Sequence, residues 1–166
     1  FERNIFETYE NQKNRLWQDM PYKSLKGTLL GICGLGSIGR HIALTGKHFG
    51  MDVWGYKRSN EDVSEVERLF TQASFREFLA HPDYVVITLP HTPESFHLFD
   101  DDAFQAMKRS AVLISVGRGT VVSENVSITM NQALHSAQTI DAVDRTTPTA
   151  TAVSTPVRTV SYTHLR

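Results

Sequence analysis

The strongest constraint on this chain lies in "LLGICGLGSIGRHIA", residues 29–43, where an apolar run of strand length enters a glycine loop and leaves it as a helix. Gly34, Gly36 and Gly39 have the spacing G-x-G-x-x-G, and each answers a separate steric demand. The first permits a tight turn, the second lets the backbone approach a bound group, and the third lets the helix pack close to the strand. A helix that begins there points unpaired amides and the positive end of its dipole at whatever fills the loop. The spacing therefore predicts a pyrophosphate on the amides of Ser37 and Ile38, and hence a dinucleotide site.

Such a site is read further at the end of the second strand, where a carboxylate would accept a hydrogen bond from the ribose 2′-hydroxyl of NAD. "DVWGYKRSN" offers Lys57, Arg58 and Ser59 at that edge and no carboxylate. Two cations suit a 2′-phosphate, which arginine can hold with two parallel hydrogen bonds. The expected cofactor is NADP in preference to NAD.

Around the loop, "TLLGIC" (28–33), "DVWGY" (52–56), "YVVITL" (84–89) and "AVLIS" (111–115) have strand length and β-branched or aromatic content, with "RLF" (68–70) a weaker fifth. Their near-continuous apolarity predicts strands covered on both faces, as in a parallel sheet. Helical spacing is expected over 37–49, with Ile38, Ile42, Leu44 and Phe49 as its apolar positions. It is expected again over 74–81, where Ser74 and Glu77 form a capping box, and over 101–108, which opens on acids and closes on Lys108. Strand and helix alternate, so the fold class is α/β with a doubly wound parallel sheet and right-handed crossovers.

Bulk properties narrow the partners. A length of 166 residues accommodates one ordinary core. A formal net charge of -1, well mixed, offers no basic stripe for nucleic acid. No apolar stretch approaches the roughly 20 residues that span a bilayer, so no membrane is expected. The lone cysteine, Cys33, lies in an apolar run, which excludes a disulfide within the chain and suits a reducing cytoplasmic location. Beyond about residue 125 composition changes, and "TTPTATAVSTPVRTV" (146–160) has almost no period, so a linker or disordered tail is expected.

Two blocks, "LKGTLLGICGLGSIGRHIALTGKHFGMDVWGYKRS" and "DYVVITLPHTPESFHLFDDDAFQAMKRSAVLISVGRGTVVSE", resemble the D-isomer-specific 2-hydroxyacid dehydrogenases, most closely their glyoxylate/hydroxypyruvate reductase branch. The resemblance implies a Rossmann-type NAD(P)-binding domain over 25–124, incomplete at its C-terminal side. A hinge or linker remnant would precede it (1–24), and a degenerate tail would follow (125–166). It implies that the backbone of Leu89-Pro90 lies along the cofactor near Ser95, and that "SVGRG" supplies Val116 and Gly117 to the cofactor and Arg118 to the substrate. A guanidinium can grip the carboxylate of a small 2-oxo acid while polarising its carbonyl, which suits hydride transfer from a nicotinamide. A homodimer of the full-length protein is also implied, and Asp144 stands for the residue that approaches the nicotinamide.

The pattern also departs from the family's. Ser115 replaces the usual asparagine, Thr147 stands where a glutamate should precede Pro148, and no "PH" segment carries a catalytic histidine. His91 is expected to be a loop histidine outside the chemistry. His164 is excluded too, because "VSYTHLR" (160–166) resembles the conceptual translation of a sequencing adapter. Little of the family's first domain precedes "QKNRLWQ", so a truncated piece of a longer chain is expected. The alternative readings are a cofactor-sensing module of corepressor type and an inactive fragment.

Overall fold

The computed structural model describes residues 4–59, 61–123 and 158–161. Among these residues six strands form one sheet: β1 (Leu29–Cys33), β2 (Asp52–Tyr56), β3 (Arg68–Phe70), β4 (Tyr84–Ile87), β5 (Val112–Ser115) and β6 (Arg158–Ser161). Their order is β3-β2-β1-β4-β5-β6, and every neighbouring pair is parallel. The chain reverses its winding between β1 and β4, and ligands of open α/β sheets bind outside the carboxyl ends of the strands at such a switch point.

Alternate residues of each strand feed two cores. Ile32, Val53 and Val86 meet Ala43 of helix α2 (Ser37–His48) on one face. On the other, Cys33, Tyr56, Val85, Ile87 and Leu113 meet Phe75, Phe78 and Leu79 of α3 (Phe75–Leu79) and Ala103 of α4 (Asp101–Ala106). Tyr56 packs its ring 4.7 Å from Phe75, and Phe78 lies 5.5 Å from Phe70, so aromatic contacts fill the space beneath β2 and β3. An N-terminal helix, α1 (Ile5–Lys13), buries none of its residues.

The buried face of α2 differs from the one its spacing predicts. Ile38, Leu44 and Phe49 are exposed, whereas Gly39, Ala43 and Gly46 turn inward. Small residues four and three apart let the helix sit close on β1 and β2, and a methyl group on Gly46 would come within 2.7 Å of Leu30. The expected capping box at Ser74 also rearranges. Its hydroxyl accepts from the amide of Thr71 instead, and Glu77 pairs with Arg68 at 2.6 Å. Helix α4 is capped by Asp100, which accepts from the amide of Ala103 at 2.8 Å. Arg158–Ser161, in the stretch read as unstructured tail, pairs in parallel with β5. Two β-branched residues, Thr159 and Val160, suit a strand, and β5 would otherwise leave a row of unpaired backbone groups.

Asp83 gathers the starts of three strands. Its carboxylate accepts from the Leu29 amide and from Lys108, both at 2.9 Å, and its carbonyl accepts from Val112 at 2.9 Å. Lys108 thus serves this junction rather than the end of α4. Burial pushes the Asp83 pKa up, but the Leu29 and Lys108 hydrogen bonds outweigh it and hold the carboxyl below its ordinary value. A carboxyl depressed in the folded state adds stability above its unfolded pKa, and this is lost as pH falls through the folded one. Asp83→Asn is therefore expected to cost about 1 kcal/mol at neutral pH, read from urea midpoints. The difference from wild type should fade below the ordinary aspartate value of about 3.9.

Candidate dinucleotide-binding site

Four loops leave the carboxyl ends of β1, β2, β4 and β5, and all but one of the expected site residues stand on them or on the first turn of α2. In the first loop Gly34 has φ +101, a conformation that favours glycine, and a methyl group there would meet the Thr88 hydroxyl at 2.9 Å. Its amide donates to Tyr56 (2.9 Å), and its carbonyl accepts from the Thr88 hydroxyl (2.7 Å). Gly39 packs so tightly that a Cβ would overlap the Gly34 carbonyl oxygen. Leu35 is buried above Gly55, where a methyl group would lie 2.5 Å from it. The loop is thus braced from below by β2 and β4.

Above Gly36 the situation is reversed. Among the described residues, a Cβ built there finds no atom within 4 Å, and this residue opens α2 with no side-chain cap. The first amides of a helix have no intrahelical acceptor. Open space over Gly36, beside the exposed Ser37 and Ile38 at a positive helix end, fits a dinucleotide's pyrophosphate.

At the end of β2, Lys57 is largely buried and donates to the carbonyl and the carboxylate of Glu61, each at 3.2 Å. Ser59 donates to the same carboxylate at 3.3 Å. The hydrogen bond and charge of Lys57, with help from Ser59, hold the Glu61 carboxyl below its ordinary pKa. Arg58 is exposed and lies 3.8 Å from Glu94. Sequence reading found no carboxylate at this edge, yet the fold brings two. The four-residue spacing of Lys57 and Glu61 was a signal for the first, whereas nothing local signals Glu94.

Beside this edge opens a pocket of about 200 Å³ walled by Tyr56, Gln72, Leu89, Pro90, Thr92, Ser95 and Leu98, with Arg58 and Glu94 on its exposed side. Apolar walls with polar groups at one rim suit a flat heteroaromatic ring. Ser95 shapes the pocket, while its hydroxyl is taken up by the turn, donating to Pro90 (2.6 Å) and accepting from Thr92 (2.9 Å). Tyr56, Gln72, Thr92 and Leu98 were missed in sequence, because their common pocket arises only when separate loops converge.

The loop after β5 joins this group through Gly117, where a methyl group would lie 2.7 Å from the Leu89 carbonyl oxygen. Val116 donates its amide to Ile87 (3.0 Å) and keeps its side chain exposed. Arg118 is exposed and outside the pocket walls, and its guanidinium has no hydrogen bond or ion pair among the described residues. His91 Nδ1 lies 2.7 Å from the Thr120 hydroxyl, so this histidine ties the loop after β4 to the one carrying Arg118. Asp144, Thr147, Pro148 and His164 lie outside the described residues. Among the described residues, no cluster of three or more His, Cys, Asp or Glu could hold a metal, and no helix is long and apolar enough to cross a membrane.

Comparison with known proteins agrees with this geometry. The model of the D-isomer specific 2-hydroxyacid dehydrogenase, NAD binding domain, matches residues 1–160. A glyoxylate reductase of Pyrococcus horikoshii is 35% identical over 102 residues, covering 61% of this chain and 30% of that protein. The crystal structure of a D-isomer specific 2-hydroxyacid dehydrogenase family protein from Aeromonas salmonicida has a TM-score of 0.73 at 42% identity, covering 79% of this chain and 42% of that one. A probable 2-hydroxyacid dehydrogenase from Rhizobium etli, solved with NADP, HEPES and L(+)-tartaric acid, has a TM-score of 0.69 at 26% identity over 79% of this chain and 43% of that one. The chain therefore spans less than half the length of each of these relatives. The matched domain, the strand order and the glycine loop lead to one conclusion: this chain belongs to the D-isomer specific 2-hydroxyacid dehydrogenase family and carries its NAD-binding domain.

Proposed function

We propose that this domain binds NADP in preference to NAD, and that in the whole protein it serves the reduction of a small 2-oxo acid of the glyoxylate or hydroxypyruvate type. The observation that carries the reading is the placement of Lys57 and Arg58 beside an apolar pocket, on the same sheet edge as the open loop at Gly36. A pyrophosphate on the amides of Ser37 and Ile38 directs the adenosine half toward the pocket and its 2′-phosphate toward the two cations. The relative from Rhizobium etli, solved with NADP, supports the same choice.

The bound cofactor would supply the hydride, and the chain's own residues hold and orient the reactants. The backbone of Leu89-Pro90, with Gly117 lying close against Leu89, borders the nicotinamide half together with Val116. Arg118, whose guanidinium is free of protein partners among the described residues, is available to a substrate carboxylate. The family resemblance extends the proposal to Asp144 near the nicotinamide, a homodimer and a cytoplasmic location.

Titration of NADPH and NADH into wild type and Lys57→Asp/Arg58→Ala tests the cofactor assignment. NADPH affinity is expected to fall about 10- to 100-fold, with NADH changed by about twofold or less. Equal loss of both would refute a 2′-phosphate role for the two cations.

A further inference from the structure

Every residue assigned to the 2′-position is already engaged. Two of the three donors on Lys57 go to the Glu61 carbonyl and carboxylate, Ser59 donates to that carboxylate, and Arg58 faces Glu94. Glu94 stands on the turn after β4 and Arg58 after β2, so their pairing spans the exposed side of the pocket. Two cations facing two carboxylates leave this edge formally neutral.

We propose that Glu61 and Glu94 set the cofactor selectivity of this site by competing with the cofactor's 2′-phosphate for Lys57 and Arg58. The inference rests on the NADP reading above and adds to it the residues that limit the preference. A 2′-phosphate brings a charge of about -1.5 to -2 at neutral pH and must displace or approach two carboxylates. A 2′-hydroxyl brings no charge, and it can donate to Glu61 as it would to the acidic residue usual at this edge. Both carboxylates therefore act against NADPH, and Glu61 acts for NADH as well. Both are exposed, their side chains 83% and 54% accessible, so each effect is modest and screened by salt.

The test uses the full chain at low ionic strength and reads dissociation constants for NADPH and NADH, with adenosine 2′,5′-bisphosphate and AMP as smaller probes of the same edge. Glu61→Gln is expected to raise the NADPH-to-NADH affinity ratio at least about threefold, and Glu61→Gln/Glu94→Gln further. The rise should shrink in high salt. Glu10→Gln, which removes an equal charge from the Lys13 pair on α1, should leave the ratio unchanged. An unchanged ratio in Glu61→Gln, with selective loss of NADPH in Lys57→Asp/Arg58→Ala, would overturn this inference and leave the cofactor reading standing. Equal loss of both cofactors in the latter variant would overturn the two together.

Discussion

Aspartate in place of Gly36 is expected to weaken dinucleotide binding at least ~100-fold while leaving the domain as stable as before, or a few tenths of a kcal/mol more stable. The backbone here, φ -77 and ψ -164, is open to any residue, and no atom of the described residues lies within 4 Å of the new Cβ. Gly36 is also the uncapped N-cap of α2, a position where aspartate satisfies a free amide. The same carboxylate would fill the space proposed for the pyrophosphate and repel its charge. Binding and stability thus part company, which a merely structural glycine would not allow. Urea midpoints and NADPH titration on one variant measure both, and normal affinity would remove the pyrophosphate from this loop.

In the whole protein, Arg118→Ala is expected to lower kcat/KM for a small 2-oxo acid by about 10²- to 10³-fold, with NADPH affinity held within about twofold. The split follows from position. Arg118 leaves the carboxyl end of β5 and takes no part in the pocket walls, so its loss should spare the cofactor. Arg118→Lys should recover little, because an ammonium cannot reproduce a planar, two-pronged grip on a carboxylate. Steady-state NADPH consumption with glyoxylate reads the effect. An unchanged kcat/KM would return Arg118 to the status of a surface residue.

The sheet was legible in the sequence because its strands are buried on both faces, so their apolar runs are continuous and short. The glycine loop was legible because its three glycines meet steric demands that the backbone itself imposes, as the positive φ of Gly34 and the crowding at Gly39 show. The packing face of α2 was not, since hydrophobic spacing points to Ile38 and Leu44 while the close approach is made by Gly39, Ala43 and Gly46. Glu94 and Gln72 escaped notice for another reason. They reach the site through loops that return from distant parts of the chain, and no local pattern encodes such a meeting. Thr88 reads as part of an apolar strand, yet its hydroxyl braces the turn at Gly34. The pairing of Arg158–Ser161 with β5 likewise depends on an edge that exists only once the sheet has formed.

The central claim, that a dinucleotide lies across the carboxyl edge of this sheet with its pyrophosphate on the first turn of α2, is tested most directly by backbone amide chemical shifts during an NADPH titration. The largest changes are expected at Gly36, Ser37 and Ile38, with a second group at Lys57, Arg58 and Ser59 and a third from Thr92 to Ser95. Saturating NADPH that leaves the Gly34–Gly39 amides unmoved, or shifts confined to α1, would contradict it.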